Sequence, residues 1–191
     1  TGCFSFFPSK NLGGAGDGGL IITGEDELAA RIKAIRVHGE VERYRHKYIG
    51  INSRLDALQA AVLDVKLKYL EEWNRARRDK ASRYDSAFKG IEGITSPYIE
   101  EGNLSTYNQY VVRVERRDAL RDYLAEKGIG TAVYYPVPLH LQECFRYLGW
   151  KKGSLPESER AAEQTLALPV YPELPVDKQD YVIANVIDFL S

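Results

Sequence analysis

The sequence predicts an α/β fold in two domains. Two short apolar runs, residues 3–7 and 19–23, have the composition of β-strands. Strand-like and helix-like runs alternate again between residues 107 and 135, a pattern typical of α/β and α+β domains. The helical pattern between these regions is long enough to link two domains. We therefore expect residues 1–70 to form part of the first domain and residues 71–191 to form the second.

The helices of the first part follow from the spacing of apolar residues. This spacing predicts a first helix that ends at Gly39, followed by a polar loop over residues 40–52. Ser53 and Asp56 form a possible capping pair for a long helix that runs to about Phe88. The apolar stripe of this long helix consists of Leu55, Leu58, Val62, Val65, Tyr69 and Trp73.

The second part contains shorter elements. A proline-marked loop, YPVPLHLQ, separates its strand-like half from its helical half. The predicted elements are a strand over residues 107–114, a helix over 117–128, a strand over 129–135, short helices near 141–148 and 157–166, and a last helix over about 177–190.

The composition describes a globular chain without a strong charge. The chain has 191 residues, 44% hydrophobic content and a formal net charge of −1. This balance gives no general attraction to nucleic acid or to an anionic membrane, and no apolar stretch reaches the roughly 20 residues of a transmembrane helix. Cys3 and Cys144 lack the spacing of metal ligands. We expect a cytoplasmic protein with reduced cysteines and without a metal.

Lys10 lies in the connection between the first two predicted strands, just before the glycine-rich residues 13–19. The glycines match G-x-G-x-x-G, but a strand rather than a helix follows them, so we reject a dinucleotide site; a Walker loop also fails, because its lysine follows the glycines. A solvated lysine in a flexible hairpin is the plain alternative. The neighbours Phe6, Phe7 and Pro8 instead favour a lysine that is partly shielded from water and can attack a carbonyl. That is the chemistry of a Schiff base with pyridoxal phosphate.

The glycines have a use in this interpretation. They leave room for a bulky planar group beside Lys10, since a residue without a Cβ allows close approach. If the φ angle of Gly16 is positive, replacing this residue with valine is expected to damage the site.

The segment SFFPSKNLGGAGDGG resembles the lysine motif of the DegT/DnrJ/EryC1/StrS family of pyridoxal-phosphate-dependent nucleotide-sugar aminotransferases. Further matches are HGEVERYRHKYIGINSRLDALQAAVLDVKL at residues 38–67, GIGTAVYYPVPLHLQ at 128–142 and LALPVYPELP at 166–175. The resemblance covers essentially the whole chain and corresponds to the C-terminal half of such an enzyme. It implies a fold type I transferase, similar to aspartate aminotransferase. The chain would then hold the C-terminal part of the large domain and the α+β small domain.

The resemblance also implies roles for residues that hold the cofactor. Lys10 looks like the lysine that forms the Schiff base and moves the proton between the cofactor and the sugar. Ser5 resembles the serine that hydrogen-bonds the cofactor phosphate, and Asn52 the residue that reaches the phosphate in the neighbouring subunit's site. Asn52 and Arg54 also flank the predicted N-terminus of the long helix, where an anion is favoured. An ordinary capping role for Asn52 is the alternative.

Three residues are weaker candidates for contact with the sugar substrate. His38 lies in the HG loop of the resemblance, and His140 lies in PVPLH, a segment that commonly faces the sugar; either could make only structural hydrogen bonds. Arg54 could contact the substrate or complete a surface ion pair. Tyr134 departs from the family pattern, because many relatives carry histidine before YP.

The function implied by the resemblance is transfer of an amino group from glutamate to a keto-sugar linked to a nucleotide, at the sugar C3 position, in a homodimer. A non-catalytic regulatory member or pathway partner is one alternative. A sugar dehydratase that uses the same cofactor is another, but in those members histidine replaces the lysine, so Lys10 argues against it. The family's cofactor-pairing aspartate lies upstream of the lysine. This chain by itself is therefore expected to be inactive.

Overall fold

The computed structural model describes residues 1–191 as two compact units, Thr1–Glu72 and Trp73–Ser191. Strands β1 to β4 and helices α1 and α2 lie in the first unit, and α3 begins at its end. The elements of this part are β1 (Gly2–Ser5), β2 (Gly19–Ile22), α1 (Asp26–Ile35), β3 (Glu40–Glu42), β4 (Arg45–His46), α2 (Ala57–Leu67) and α3 (Leu70–Phe88).

The first unit contains two separate two-stranded antiparallel sheets. Strands β1 and β2 pair from Gly2 opposite Ile22 to Ser5 opposite Gly19, which places the Lys10 segment in their connection, as expected. Their large apolar side chains are exposed, Phe4 by 52%. Strands β3 and β4 form a small irregular hairpin within the segment that the sequence predicts as a polar loop. Exposed apolar side chains of this kind are typical of a surface that packs against further elements.

The prediction of one long helix over residues 53–88 is wrong, because the structure divides it into α2 and α3. Helix α2 ends at Leu67, and a tight turn follows in which the Tyr69 N–H donates to the Lys66 carbonyl at 3.0 Å. Lys66 also donates its Nζ hydrogen to the Gly13 carbonyl, at 2.5 Å. The break has no proline or glycine to mark it, so the sequence carries no stop signal there.

The capping pair at Ser53 is also wrong, since α2 begins only at Ala57 after an extended Asp56 that makes no side-chain cap. The Ser53 N–H donates instead to the Arg36 carbonyl at 2.9 Å. These backbone hydrogen bonds hold the segment before α2 extended against the end of α1, so tertiary contacts override the local capping signal.

The second unit is an α+β structure around a three-stranded antiparallel sheet in the order β5-β6-β7. Its core forms where α3, α4 and α6 cover this sheet, and Tyr84, Val112 and Leu124 are fully buried within it. Alternating burial along β6 matches the period of a strand with one face in the core. The elements are β5 (Ile94–Thr95), β6 (Tyr110–Val114), α4 (Arg117–Glu126), α5 (Pro156–Gln164), β7 (Thr165–Leu168) and α6 (Val176–Leu190).

Two expectations for the second unit need correction. Residues 129–135 do not form a strand: only Ala132 makes a bridge, to Ala167. Strand β6 pairs with β5 and with β7, and the helix predicted over residues 157–166 wrongly includes the first two residues of β7. The short helix near residues 141–148 consists of two 3₁₀ turns, Leu139–Leu141 and Glu143–Leu148. None of the helices in the structure combines the length and apolar character of a membrane span.

Candidate active site

Lys10 lies in a closed turn between β1 and β2. The Phe6 N–H donates to the Gly18 carbonyl at 2.8 Å, and the Phe6 carbonyl accepts from the Gly14 N–H at 2.8 Å. Within the loop that these bonds close, the Lys10 N–H donates to the Phe7 carbonyl at 2.9 Å. The backbone of Lys10 is thereby fixed on both sides, while its side chain is exposed. No hydrogen bond or ion pair of the structure engages its Nζ, so the amine is available to a ligand.

The Phe6–Pro8 segment does not shield Lys10 from water, contrary to the expectation from the sequence. Phe7 is itself exposed, by 52%, and Pro8 and Lys10 are exposed with it. Any group that excludes water from the amine must therefore come from outside the Phe6–Pro8 segment.

Gly13 makes the Lys10 turn possible. A Cβ at this position would lie 2.4 Å from the Pro8 carbonyl oxygen and 2.8 Å from that of Phe7. Because these atoms belong to the backbone, they cannot swing away as a side chain does, and only glycine fits. The Gly13 carbonyl accepts the hydrogen bond from Lys66, which ties the turn to the end of α2.

Gln59 supports the far side of the glycine loop, a role for which the sequence gives no signal beyond its place in LDALQAA. Its Oε1 accepts from the Ala15 N–H at 2.8 Å. The condition for the Gly16 expectation is not met, because its φ is not positive; an added Cβ would meet the Gln59 side chain, 2.9 Å from its amide nitrogen. The steric constraint of the loop thus lies at Gly13, beside Lys10.

Ser5 stands at the end of β1, on the same hairpin as Lys10. Its Oγ accepts a hydrogen bond from the Phe7 N–H at 3.3 Å, and its side chain is exposed. A hydroxyl that accepts in this way keeps its own hydrogen to donate to an anion.

His38, Asn52 and Arg54 come together at a second place in the first unit. Val37 and Asn52 form a β-bridge, and the His38 N–H donates to the Ile51 carbonyl at 3.0 Å. Arg54 Nε donates to Asn52 Oδ1 at 3.1 Å. The Asn52 carboxamide therefore keeps its NH₂ as a donor, beside a guanidinium, which suits an anionic or hydroxylated ligand.

The backbone at His38 and Gly39 is left-handed, with φ angles of 66° and 78°. A Cβ on Gly39 would lie 1.7 Å from the Tyr48 carbonyl oxygen, so the HG dipeptide requires its glycine. This turn reverses the chain between α1 and β3 and fixes the exposed His38 side chain next to the bridge at Asn52.

Asn52 and Arg54 do not flank a helix N-terminus. Helix α2 starts at Ala57, beyond both of them, and its capping residue is Asp56. The free N–H groups of a helix lie in its first turn, so the helix-dipole argument for an anion at Asn52 fails. The hydrogen bond from Arg54 is the local feature that supports such a site.

His140 belongs to the second unit and is buried, with 8% of its surface exposed. Its Nε2 lies 2.9 Å from Glu159 Oε1. The Glu159 carboxylate, in α5, also accepts from the Gly153 N–H with both oxygens at 2.8 Å. Sequence analysis missed Glu159, because nothing in SLPESER distinguishes it from its exposed acidic neighbours. The role of His140 toward a substrate stays a prediction.

The hydrogen bonds on Glu159 change its acidity. The Gly153 N–H contributes most and His140 next, and both stabilise the ionised carboxylate. Together they lower the pKa of Glu159 below its ordinary value of 4.5. The carboxylate is therefore charged at neutral pH and serves as an acceptor only.

The second unit also has a cavity of about 280 Å³. Its polar lining comes from Asn108, Gln109, Thr131 and Tyr134, and the end of β7 forms its apolar wall. Arg77 supports the rim by donating to the Val170 carbonyl at 2.9 Å and to the Tyr107 carbonyl at 3.1 Å. Burial lowers the pKa of the Arg77 guanidinium, and the nearby Glu173 opposes this effect.

Comparison with known proteins identifies the family. The model of the DegT/DnrJ/EryC1/StrS aminotransferase family matches residues 1–187. A pleiotropic regulatory protein of Geobacillus stearothermophilus is 47% identical over 188 residues, which are 97% of this chain and 50% of that protein. A UDP-2-acetamido-2-deoxy-3-oxo-D-glucuronate aminotransferase of Pseudomonas aeruginosa is 46% identical over 172 residues, 90% of this chain and 47% of the relative.

A solved structure agrees with this relationship. DesV of Streptomyces venezuelae, in complex with a ketimine intermediate, superposes with a TM-score of 0.95 and 41% identity over 99% of this chain and 51% of DesV. The chain belongs to the DegT/DnrJ/EryC1/StrS aminotransferase family and has the fold of the C-terminal portion of its fold type I enzymes, so the resemblance and the fold class are confirmed. It spans about half the length of the curated relatives it matches.

Replacing Gly13 with alanine is expected to displace the Lys10 turn. The methyl group would overlap two backbone carbonyls, so we expect the free energy of unfolding to fall by about 1–3 kcal/mol. Gly24→Ala is the matched control, since a Cβ there meets nothing within 4 Å. Urea denaturation of the full-length protein measures both. Equal stability of the two variants would contradict the steric role of Gly13.

The lowered pKa of Glu159 predicts a loss of stability in acid. Because the folded pKa lies below the ordinary 4.5, the stabilising effect of the ionised carboxylate is complete above that pH and disappears as the pH falls through the folded value. The stability difference between wild type and Glu159→Gln should therefore be larger at about pH 7 than at about pH 3. Denaturation curves at both values test this, with Glu157→Gln, exposed on the same helix, as control. A difference independent of pH would contradict it.

Proposed function

We propose that the protein is a pyridoxal-phosphate-dependent nucleotide-sugar aminotransferase, and that this chain supplies its cofactor-binding lysine, Lys10. The observation that carries the proposal is the unengaged Lys10 amine on a turn fixed by the hydrogen bonds of Phe6 and by Gly13. Membership of an aminotransferase family supports the same chemistry. A solvent-exposed lysine without a chemical role would not need a backbone this constrained.

The residues of the first unit fit pyridoxal phosphate. The cofactor supplies an aldehyde that amines attack and a ring that accepts electrons. Lys10 offers the primary amine, and the Ser5 hydroxyl keeps a hydrogen for a phosphate oxygen. With the cofactor bound, a Lys10 Nζ that is not attached to it would be able to take up and return a proton, as a general base does. The similar NtdA of Bacillus subtilis, 32% identical to this chain, was crystallised with the amine form of the cofactor.

The proposed substrate is a keto-sugar linked to a nucleotide, aminated at C3. The P. aeruginosa relative is named for a 3-oxo sugar nucleotide, and two further relatives are named for products with a 3-amino group. We assign contacts with the sugar or its charged groups to His38 and Arg54, whose side chains are exposed beside Asn52. The third sequence candidate, His140, is buried against Glu159. Glutamate is the proposed amino donor.

We further propose that the protein works as a homodimer in which Asn52 reaches the cofactor phosphate of the neighbouring subunit. The apolar side chains of α2 point to such a partner, since Leu58 is 81% exposed and Val65 56% exposed. Exposed apolar surface of this kind marks an interaction site. The neighbour's phosphate would accept a hydrogen bond from the Asn52 NH₂ group, which lies next to Arg54.

The two units also suggest an organisation for the whole protein. We assign residues 1–70 to the C-terminal part of a large cofactor-binding domain and residues 71–191 to the small domain. Cys3 and Cys144 are free and exposed, which suits a reducing compartment, and we place the protein in the cytoplasm.

A second candidate function is regulation without catalysis. The G. stearothermophilus relative is named as a pleiotropic regulatory protein, although its name does not state how it acts. The two candidate functions differ at Lys10, because a regulator that does not catalyse a reaction does not need the Lys10 amine as a catalytic group.

Borohydride reduction tests the role of Lys10. The full-length protein loaded with pyridoxal phosphate should show a visible absorbance band, and reduction should attach the cofactor covalently to Lys10, as peptide mass spectrometry can detect. Lys10→Ala should still bind the cofactor through its phosphate but lose at least about 10³-fold in amination rate, because both the attachment point and the proton carrier are gone.

Lys33→Ala, an exposed lysine of α1, is the control and should behave as wild type. Cofactor fixed to a different lysine, or full turnover by Lys10→Ala, would overturn the assignment. Normal cofactor attachment in a protein that aminates no nucleotide-linked keto-sugar would favour the regulatory alternative.

Complementation tests the proposed dimer. When Lys10→Ala and Asn52→Ala chains are co-expressed, each hybrid dimer should contain one site with both residues intact. If the chains mix at random, about a quarter of wild-type activity should return. Lys10→Ala with Ser5→Ala is the control, because these two residues belong to the same subunit's site and no intact site can form. Failure of the first pair to recover, or an active monomer in sedimentation, would contradict the model of a shared site.

A further inference from the structure

We propose that His140 and Glu159 form a positioning pair, which holds the segment 133–139 and thereby sets Tyr134 at the wall of the second unit's cavity. This proposal rests on the proposed function, because it assigns the cavity to part of the nucleotide-linked sugar. It also changes the role of His140, which acts through the segment rather than by touching the sugar.

The segment is held at both ends, and between them Val133 packs against the core and the Val137 carbonyl accepts from Gln142 Nε2 at 3.4 Å. At its start, Ala132 and Ala167 exchange two backbone hydrogen bonds, at 3.2 and 2.7 Å. At its end, the 3₁₀ turn Leu139–Leu141 carries His140 into contact with Glu159. Between these anchors the residues form no strand, and Tyr135 is 71% exposed. The position of Tyr134 and Tyr135 therefore depends on the two anchors together with the packing of Val133.

Glu159 is a rigid anchor for this turn. Its two oxygens share the Gly153 N–H, and Oε1 also receives the His140 contact and a longer one from the Leu155 N–H, at 3.4 Å. One buried carboxylate thus joins the turn around His140, the loop at Gly153 and helix α5. Because charge-assisted hydrogen bonds to a buried carboxylate are strong, Glu159 holds the three segments against one another.

The geometry of His140 argues against direct contact with a ligand. The ring is buried, and its Nε2 is engaged by Glu159 at 2.9 Å. Tyr134, by contrast, is 42% exposed and lines the cavity. The other polar lining groups are amides and a hydroxyl, at Asn108, Gln109 and Thr131, which suit the hydroxyl groups of a sugar. The segment 133–139 adds Tyr134 to these polar groups of the cavity lining.

The test compares Glu159→Gln, His140→Gln and the double variant in the full-length protein. A glutamine at 159 keeps the shape of the side chain but places an NH₂ group against N–H donors. Glu157→Gln is the matched control, since it is exposed on the same helix and pairs only with Arg160. His140→Gln keeps the proposal testable if the Glu159 variant does not fold.

Two measurements report on the pair. Hydrogen exchange at the Leu141 and Gln142 amides, which close the turn around His140, should be about tenfold faster in either variant. The KM for the keto-sugar and the Kd for its aminated product should rise about tenfold, while the half-reaction with glutamate stays within about twofold of wild type. The double variant should be no worse than the more impaired single variant, because the residues act together.

Unchanged exchange, unchanged sugar affinity, an equal loss in the glutamate half-reaction, or additive effects in the double variant would each overturn the positioning role. These outcomes are distinct from failure of the proposed function, in which the wild-type protein itself neither binds nor aminates a nucleotide-linked sugar. That result would also overturn the assignment of the cavity to the sugar.

Discussion

The pair of backbone hydrogen bonds on Phe6 is the constraint on which the candidate site depends. One bond runs to Gly18 and the other comes from Gly14, so the same residue closes the connection between β1 and β2 in both directions. The loop would otherwise be a flexible glycine-rich segment. With it closed, Lys10 has a fixed backbone and an unengaged amine, which is the combination that covalent catalysis by an amine requires. Gly13 and Lys66 then connect this turn to α2.

The two units fix their candidate residues by different means. In the first, backbone hydrogen bonds and glycines define the turns at Lys10 and at His38, and the side chains remain exposed. In the second, α3, α4 and α6 pack on the sheet to form a core, and the buried Glu159 carboxylate holds the turn at His140 and the loop at Gly153. Exposed turns of the first kind can admit a cofactor and a neighbouring subunit, whereas the second kind maintains the shape of a cavity.

Sequence reasoning located the elements whose signals are local. The connection that carries Lys10, the helix α6 and the α+β character of the second unit all follow from spacing and from turn residues. Sequence reasoning fails where hydrogen bonds between residues far apart along the chain decide the structure. Ser53 has a good capping sequence, yet its N–H binds the Arg36 carbonyl instead. Gln59 and Glu159 were missed for the same reason, since their partners lie 44 and up to 19 residues away along the chain.

We infer that the closed turn presents Lys10 to the cofactor as its point of covalent attachment. A crystal structure of the full-length protein grown with pyridoxal phosphate tests it most directly. We expect continuous electron density between Lys10 Nζ and the aldehyde carbon of the cofactor, with the phosphate within hydrogen-bonding distance of Ser5 Oγ. Cofactor density joined to another lysine, or lying away from the β1–β2 connection, would contradict it.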